Sequence, residues 1–145
     1  MKPTIHLTNF ANRKFHRGAV YSIMARPRTW EHGAGRVPAL TPRAEDFDAW
    51  KGGRLEGRTY RRRFEADLIL NLWDLVPGSL GATNGHGPGA THWPVVDGDT
   101  LCCGCSRAAA ARGECHRAWA AEALLQAGWA VVLDGVVLPD DWRCP

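Results

Sequence analysis

A chain of 145 residues, 45% apolar and 23% charged, is expected to form a single domain (1–145) with a core of its own, which excludes wholesale disorder. No stretch approaches the roughly 18 apolar residues of a membrane span, and "MKPTIHLTNFANRK" lacks the apolar run of a signal peptide, so we expect a cytoplasmic protein with no membrane partner. The net charge of +3 is uneven: residues 1–75 hold 14 Lys and Arg against 8 Asp and Glu, and residues 76–145 hold 4 against 7. That imbalance suits a small anionic ligand or nucleic acid, although the continuous basic stripe of a nucleic-acid reader is missing.

In chain order, "TIHLTNF" alternates apolar and polar residues and predicts a strand over 4–9. "AVYSIMA" predicts a more fully apolar strand over 19–25, ended by Arg26-Pro27. Residues 26–57 are rich in Pro, Gly and Arg and read as surface loop, with a short helix in "PRAEDFDAW" and with Trp30, Phe47 and Trp50 pinning it to the body. "RTYRRRFEADLILNLWDLVPG" is the clearest helix: Tyr60, Phe64, Leu68, Leu72 and Leu75 form one apolar stripe, Thr59 is a candidate N-cap, and Pro77-Gly78 ends the run. Its arginines 61–63 spread around the helix and do not converge on one ligand.

Residues 78–98 hold six glycines and two histidines, His86 and His92. They lack the Gly-Lys-Ser/Thr ending of a phosphate loop and read as a loop or insertion. "DTLCCGC" predicts a strand near 100–104, "CHRAWAAEALLQAGW" a helix ended by Gly128, and "WAVVLDGVVL" two strands (130–133 and 136–138) about the turn residues Asp134-Gly135. Together these elements predict a small three-layer, Rossmann-like α/β domain with a partly parallel sheet and a C-terminal β-hairpin. Ligands in such sheets bind beyond the carboxyl ends of the strands, here Thr8-Asn9, Arg26 and Cys103-Gly104-Cys105.

The stretch "LCCGCSRAAAARGECHR" (101–117) carries four of the five cysteines and allows three readings. Cys103, Cys105 and Cys115 are soft metal ligands, and zinc is the cofactor they suggest. If 106–127 were one helix, Cys105 and Cys115 would stand about 15 Å apart and zinc would fail; a break at Gly113-Glu114 would bring them together. Alternatively, Cys115 at a helix N-terminus is an activated thiol, with His116 beside it and Arg117 clamping an anion. In the third reading the cysteines simply pack: Cys102 and Cys103 point to opposite faces of a strand, so at least one is core. The Cys105-to-Arg112 spacing is one residue too long for a phosphatase loop.

Thr8-Asn9-Phe10, Arg26-Pro27, Tyr60-Arg61, Cys103 and Cys105, and above all Cys115-His116-Arg117 resemble the bacterial and phage family called domain of unknown function 488. The resemblance implies an α/β fold with a pocket at the Cys-His-Arg end, and residues 78–98 look like an insertion relative to it. From residues and resemblance together we expect a protein that binds, and in some form processes, a nucleotide-like or other phosphate-bearing ligand. A role in phage or mobile-element nucleotide or DNA modification would accompany it. The expected pocket is Asn9, Arg26, Cys105 and Arg117 for binding, with Cys115 and His116 as chemically active groups. The alternative is a zinc-stabilised binding or interaction module using Cys103, Cys105 and Cys115, and a third is a docking protein with exposed Trp30, Trp50 and Trp93.

Overall fold

In the computed structural model, which describes residues 1–28, 33–81 and 94–145, the alternation of "TIHLTN" becomes strand β1 (Thr4–Asn9) at the centre of a five-stranded sheet. The other strands are β2 (Val20–Ser22), β3 (Thr100–Cys103), β4 (Ala130–Leu133) and β5 (Val136–Val137). Their order is β2-β3-β1-β4-β5; the first four are parallel, and β5 returns antiparallel to β4. The sheet is therefore the expected partly parallel one, closed by the expected hairpin. Asp134 and Gly135 both have positive φ (48° and 81°), as a two-residue hairpin turn matched to the strand twist requires.

Strand alternation divides the sheet into unlike faces. Ile5, Leu7, Tyr21, Leu101, Cys103, Val131 and Leu133 share one buried core with the helices. These are α1 (Ala44–Lys51), α2 (Gly57–Leu70), α3 (Arg107–Ala111) and α4 (His116–Gln126). Tyr60, Phe64 and Leu68 of α2 meet Trp119, Ala120 and Leu124 of α4 in that core, as a one-sided apolar stripe demands. The opposite face is polar and small, with Thr8, Ser22, Thr100 and Cys102, all fully buried. A thin third layer covers it, made by a single 3-10 turn (Arg13–Phe15) and its flanks. Thr100 Oγ1 accepts from Arg17 N (2.7 Å) and donates to Arg17 O (2.6 Å), and His16 Nε2 lies 3.5 Å from Cys102 Sγ.

Three boundaries differ from expectation, each for a local reason. Helix α2 begins after Glu56 rather than Thr59. It stops at Leu70 because Asn71 turns its side-chain amide onto Asp67 O (2.8 Å) and the chain tightens into a 3-10 turn, Leu72–Asp74. That turn buries Leu75 completely but leaves Leu72 outside. Strand β2 is shorter than 19–25, and its outer edge is paired by residues 33–37: Ala34 N donates to Val20 O, Ser22 N to Gly35 O and Val37 N to Ser22 O. This pairing shields an edge that would otherwise present open backbone groups. Among the described residues no helix is long and apolar enough to cross a membrane. Trp30, His86, His92, Trp93 and most of residues 78–98 lie outside the described residues.

Candidate functional site

The site grows from the carboxyl ends of two neighbouring strands. Asn9 and Cys103 are register partners at the ends of β1 and β3. After Cys103 the chain passes Gly104 and Cys105, and Ser106 caps α3 by accepting from Ala109 N (3.1 Å). The alanine run makes little more than one turn before Gly113, at φ 73°, stops it. A β-carbon there would collide with the Pro145 carbonyl, so the left-handed turn and the close approach both require glycine. The chain restarts as α4 with Cys115 at its N-cap. This break brings the Sγ atoms of Cys103, Cys105 and Cys115 within 4.8 Å of one another, with Cys103 and Cys115 3.4 Å apart. All five cysteines are free thiols. The three expected ligand residues are thus assembled, and they could hold a metal ion.

Arg117 runs beside the triad and is 0% exposed. Its Nη1 donates to Cys103 Sγ (2.9 Å) and Cys105 O (2.8 Å), and its Nη2 to Ser106 O (3.1 Å) and Asp134 Oδ2 (2.9 Å). Asp134 in turn accepts from Thr8 Oγ1 (2.9 Å). Among the described residues Arg117 Nε finds no acceptor. The guanidinium expected to clamp an outside anion instead grips the chain's own loop and hairpin. Burial opposes its charge, but the neighbouring Cys103 and Cys115 sulfurs and Asp134 more than offset that and keep it protonated.

The thiols divide accordingly. Burial disfavours a thiolate at Cys103, yet hydrogen bonds from Cys105 and Cys115, with His116 and Arg117 nearby, hold its thiol well below the ordinary range. Cys105 is pushed up to about 12, first by its hydrogen bond to Cys103 and then by burial. Cys115 is pushed well up by burial and by the same two sulfurs. Of Cys103 and Cys115, the lowered thiol is Cys103, where the arginine fork reaches, and not Cys115, whose place at the helix start suggested it and which is itself buried. Burial holds His116 below its usual range; its Nε2 lies 2.7 Å from Ile23 O, so that nitrogen carries a proton and donates.

Above the triad opens a cleft of about 490 Å³. Asn9, Arg26, Cys105 and His116 belong to its wall, so four of the six residues expected at the pocket border the cleft, while Cys115 and Arg117 are buried and outside that lining. Asn9 shapes that wall: its Nδ2 donates to Cys105 O (3.0 Å) and its Oδ1 accepts from Asn12 N (2.8 Å). Arg26 is paired with Asp48 (2.7 Å) at an exposed rim. Sequence reasoning missed Met24 and Arg28, and missed Phe47, Trp50 and Lys51 as ligand residues. The last three recur at i, i+3 and i+4, which places them on one face of α1. Lys51 Nζ lies 5.8 Å and 5.6 Å from the Phe47 and Trp50 ring centres, and Trp50 stacks on Tyr60 at 5.0 Å.

No protein-family model matches the chain, and no curated protein or solved structure matches it either.

Proposed function

We propose that this cleft binds a small nucleotide-like, phosphate-bearing ligand. One observation carries the reading: at the carboxyl ends of parallel strands, a cavity of about 490 Å³ combines the cations of Arg26, Arg28 and Lys51 with the flat rings of Phe47 and Trp50. Cations suit phosphate oxygens and aromatic faces suit a base, and open parallel sheets receive ligands at this end. Asn9 shapes the wall. Of the two groups considered for chemistry, His116 faces the ligand space and Cys115 lies below it. The resemblance to domain of unknown function 488 rests on the same Cys-His-Arg end and suggests nucleotide or DNA modification in a phage or mobile element as the setting. Titration of adenosine monophosphate at low salt, read by tryptophan fluorescence, tests the proposal. Saturable quenching is expected, weakened about tenfold or more in Arg26→Ala, because one charge-assisted contact is lost. Quenching that is absent, or that Arg26→Ala and Lys51→Ala leave unchanged, would overturn it.

The assembled triad favours a second reading, in which zinc on Cys103, Cys105 and Cys115 stabilises a binding module. Bound metal would tie β3 to the start of α4 across the loop between them. Zinc retained at one equivalent by protein purified without chelator, with a melting temperature that falls on its removal, would support this reading. Metal-free protein with an unaltered melting temperature would sink it.

A further inference from the structure

We infer that the sulfurs of Cys103, Cys105 and Cys115 form a three-thiolate site for a zinc-class ion whose fourth coordination position opens into the cleft, where the cleft's own ligand or a water takes it. The inference rests on the metal reading above and joins it to the cleft. Structural zinc sites close the tetrahedron with four protein ligands, whereas sites that exchange a ligand keep three and leave one position open. Among the described residues, no fourth His, Cys, Asp or Glu joins the group. His116, next in sequence to Cys115, has its Nε2 engaged with Ile23 O.

The three sulfurs are not equally placed. Cys103 and Cys115 are buried, while Cys105 is half-buried and belongs to both the triad and the cleft wall. An ion on these sulfurs would be backed by the buried Cys103 and Cys115 and would lie beside the cleft wall that Cys105 helps to form. Bonds of about 2.3 Å in a tetrahedron separate sulfurs by about 3.8 Å, and the observed spacing, 3.4 Å for one pair and within 4.8 Å for all, needs only small side-chain adjustments to meet it.

Charge also fits. Three thiolates around a divalent ion leave one net negative charge in a buried place. The Arg117 guanidinium stands 2.9 Å from Cys103 Sγ and 3.8 Å from Cys115 Sγ to balance it, and the N-terminal end of α4 adds its dipole at Cys115. Hydrogen bonds to ligating sulfurs and to the loop that carries them hold a site in shape before metal arrives. Here Arg117 and Asn9 both anchor the Cys105 carbonyl.

The test uses cobalt(II) on the reduced 145-residue chain, read by absorption. One equivalent should bind with thiolate-to-cobalt charge-transfer bands and intense visible bands of four-coordination. Inorganic phosphate or imidazole should then shift the visible bands. Cys105→Ser should weaken cobalt binding at least tenfold, with Cys105→Asp partly restoring it and Cys144→Ser, outside the triad, unaltered. Circular dichroism of each variant separates lost ligation from lost fold. Failure of the reduced protein to bind cobalt would overturn the site. Binding with visible bands that neither phosphate nor imidazole moves would show a closed site and overturn the open position. Adenosine monophosphate titrated into chelator-treated protein tests the cleft without metal, so the two readings fail separately.

Discussion

At the residue scale Arg117 is the most consequential side chain. A guanidinium at the start of a helix opposes the dipole and needs acceptors, and four lie within 3.1 Å: one sulfur, two carbonyls and one carboxylate. Arginine's planar fork reaches all four from one position, which a lysine ammonium does not. Arg117→Met should destabilise the fold by about 3–5 kcal/mol, because it leaves Asp134 and the loop carbonyls buried without a donor. Urea denaturation checks this, and a loss below about 1 kcal/mol would mean the pair is already solvated. Arg117→Lys should recover only part of the loss. Tryptophan burial makes a second contrast. Trp129 is 1% exposed with its Nε1 donating to Leu75 O, whereas Trp73 is 84% exposed. Trp129→Ala should cost about 3–5 kcal/mol, and Trp73→Ala should stay within about 0.5 kcal/mol by the same denaturation measurement.

At the scale of elements, the break between α3 and α4 decides the site. Alanines 108–111 favour a helix that would run on, and Gly113 stops it by taking a φ that an L-residue avoids. Gly113→Ala should cost about 1–2 kcal/mol from backbone strain alone, with more from the crowded Pro145 carbonyl. It should also spread the thiol triad, so cobalt affinity should fall along with the urea midpoint. An affinity unchanged in a destabilised Gly113→Ala protein would show that the triad does not depend on the break. The charged contact of Arg43, at the N-cap of α1, with Asp67 of α2 matters less: both side chains are partly exposed, where such pairs contribute little.

For the whole molecule, the aromatic core predicts an alkaline limit. Tyr60 is 3% exposed, between Trp50 and Trp119. Burial, then the nearby Cys105 and Cys115, raise its phenol well above the ordinary value. The unfolded chain ionises this tyrosine near pH 10 while the folded one keeps it neutral, so above that pH the folded state binds more protons. Stability from this source is intact below pH 10 and is lost as the pH rises beyond it. Urea midpoints measured from pH 8 to 11 should fall at the upper end, and Tyr60→Phe should flatten the fall. An unchanged slope in Tyr60→Phe would place the effect elsewhere, for example at Tyr21, which burial also raises.

Much of this architecture was legible in the residues themselves. Period-two alternation in "TIHLTN" marked β1, the Tyr60–Phe64–Leu68 stripe marked α2, and the apolar runs about Asp134-Gly135 marked β4 and the hairpin, because each pattern is local and set by backbone geometry. The location of the pocket at the strand ends also followed from the order of elements, and Asn9, Arg26, Cys105 and His116 meet there. Sequence left the fate of the cysteines open between metal, nucleophile and core, since 12 positions separate Cys103 from Cys115 and only the conformation of Gly113 joins them. It likewise misdirected Arg117, whose acceptors on Asp134 and the 105–106 loop come from distant parts of the chain. Local pattern determined the elements and the end of the sheet at which the cleft opens. Tertiary packing alone decided which charges face the cleft and which are buried beneath it, because that depends on where strands far apart in sequence end beside one another.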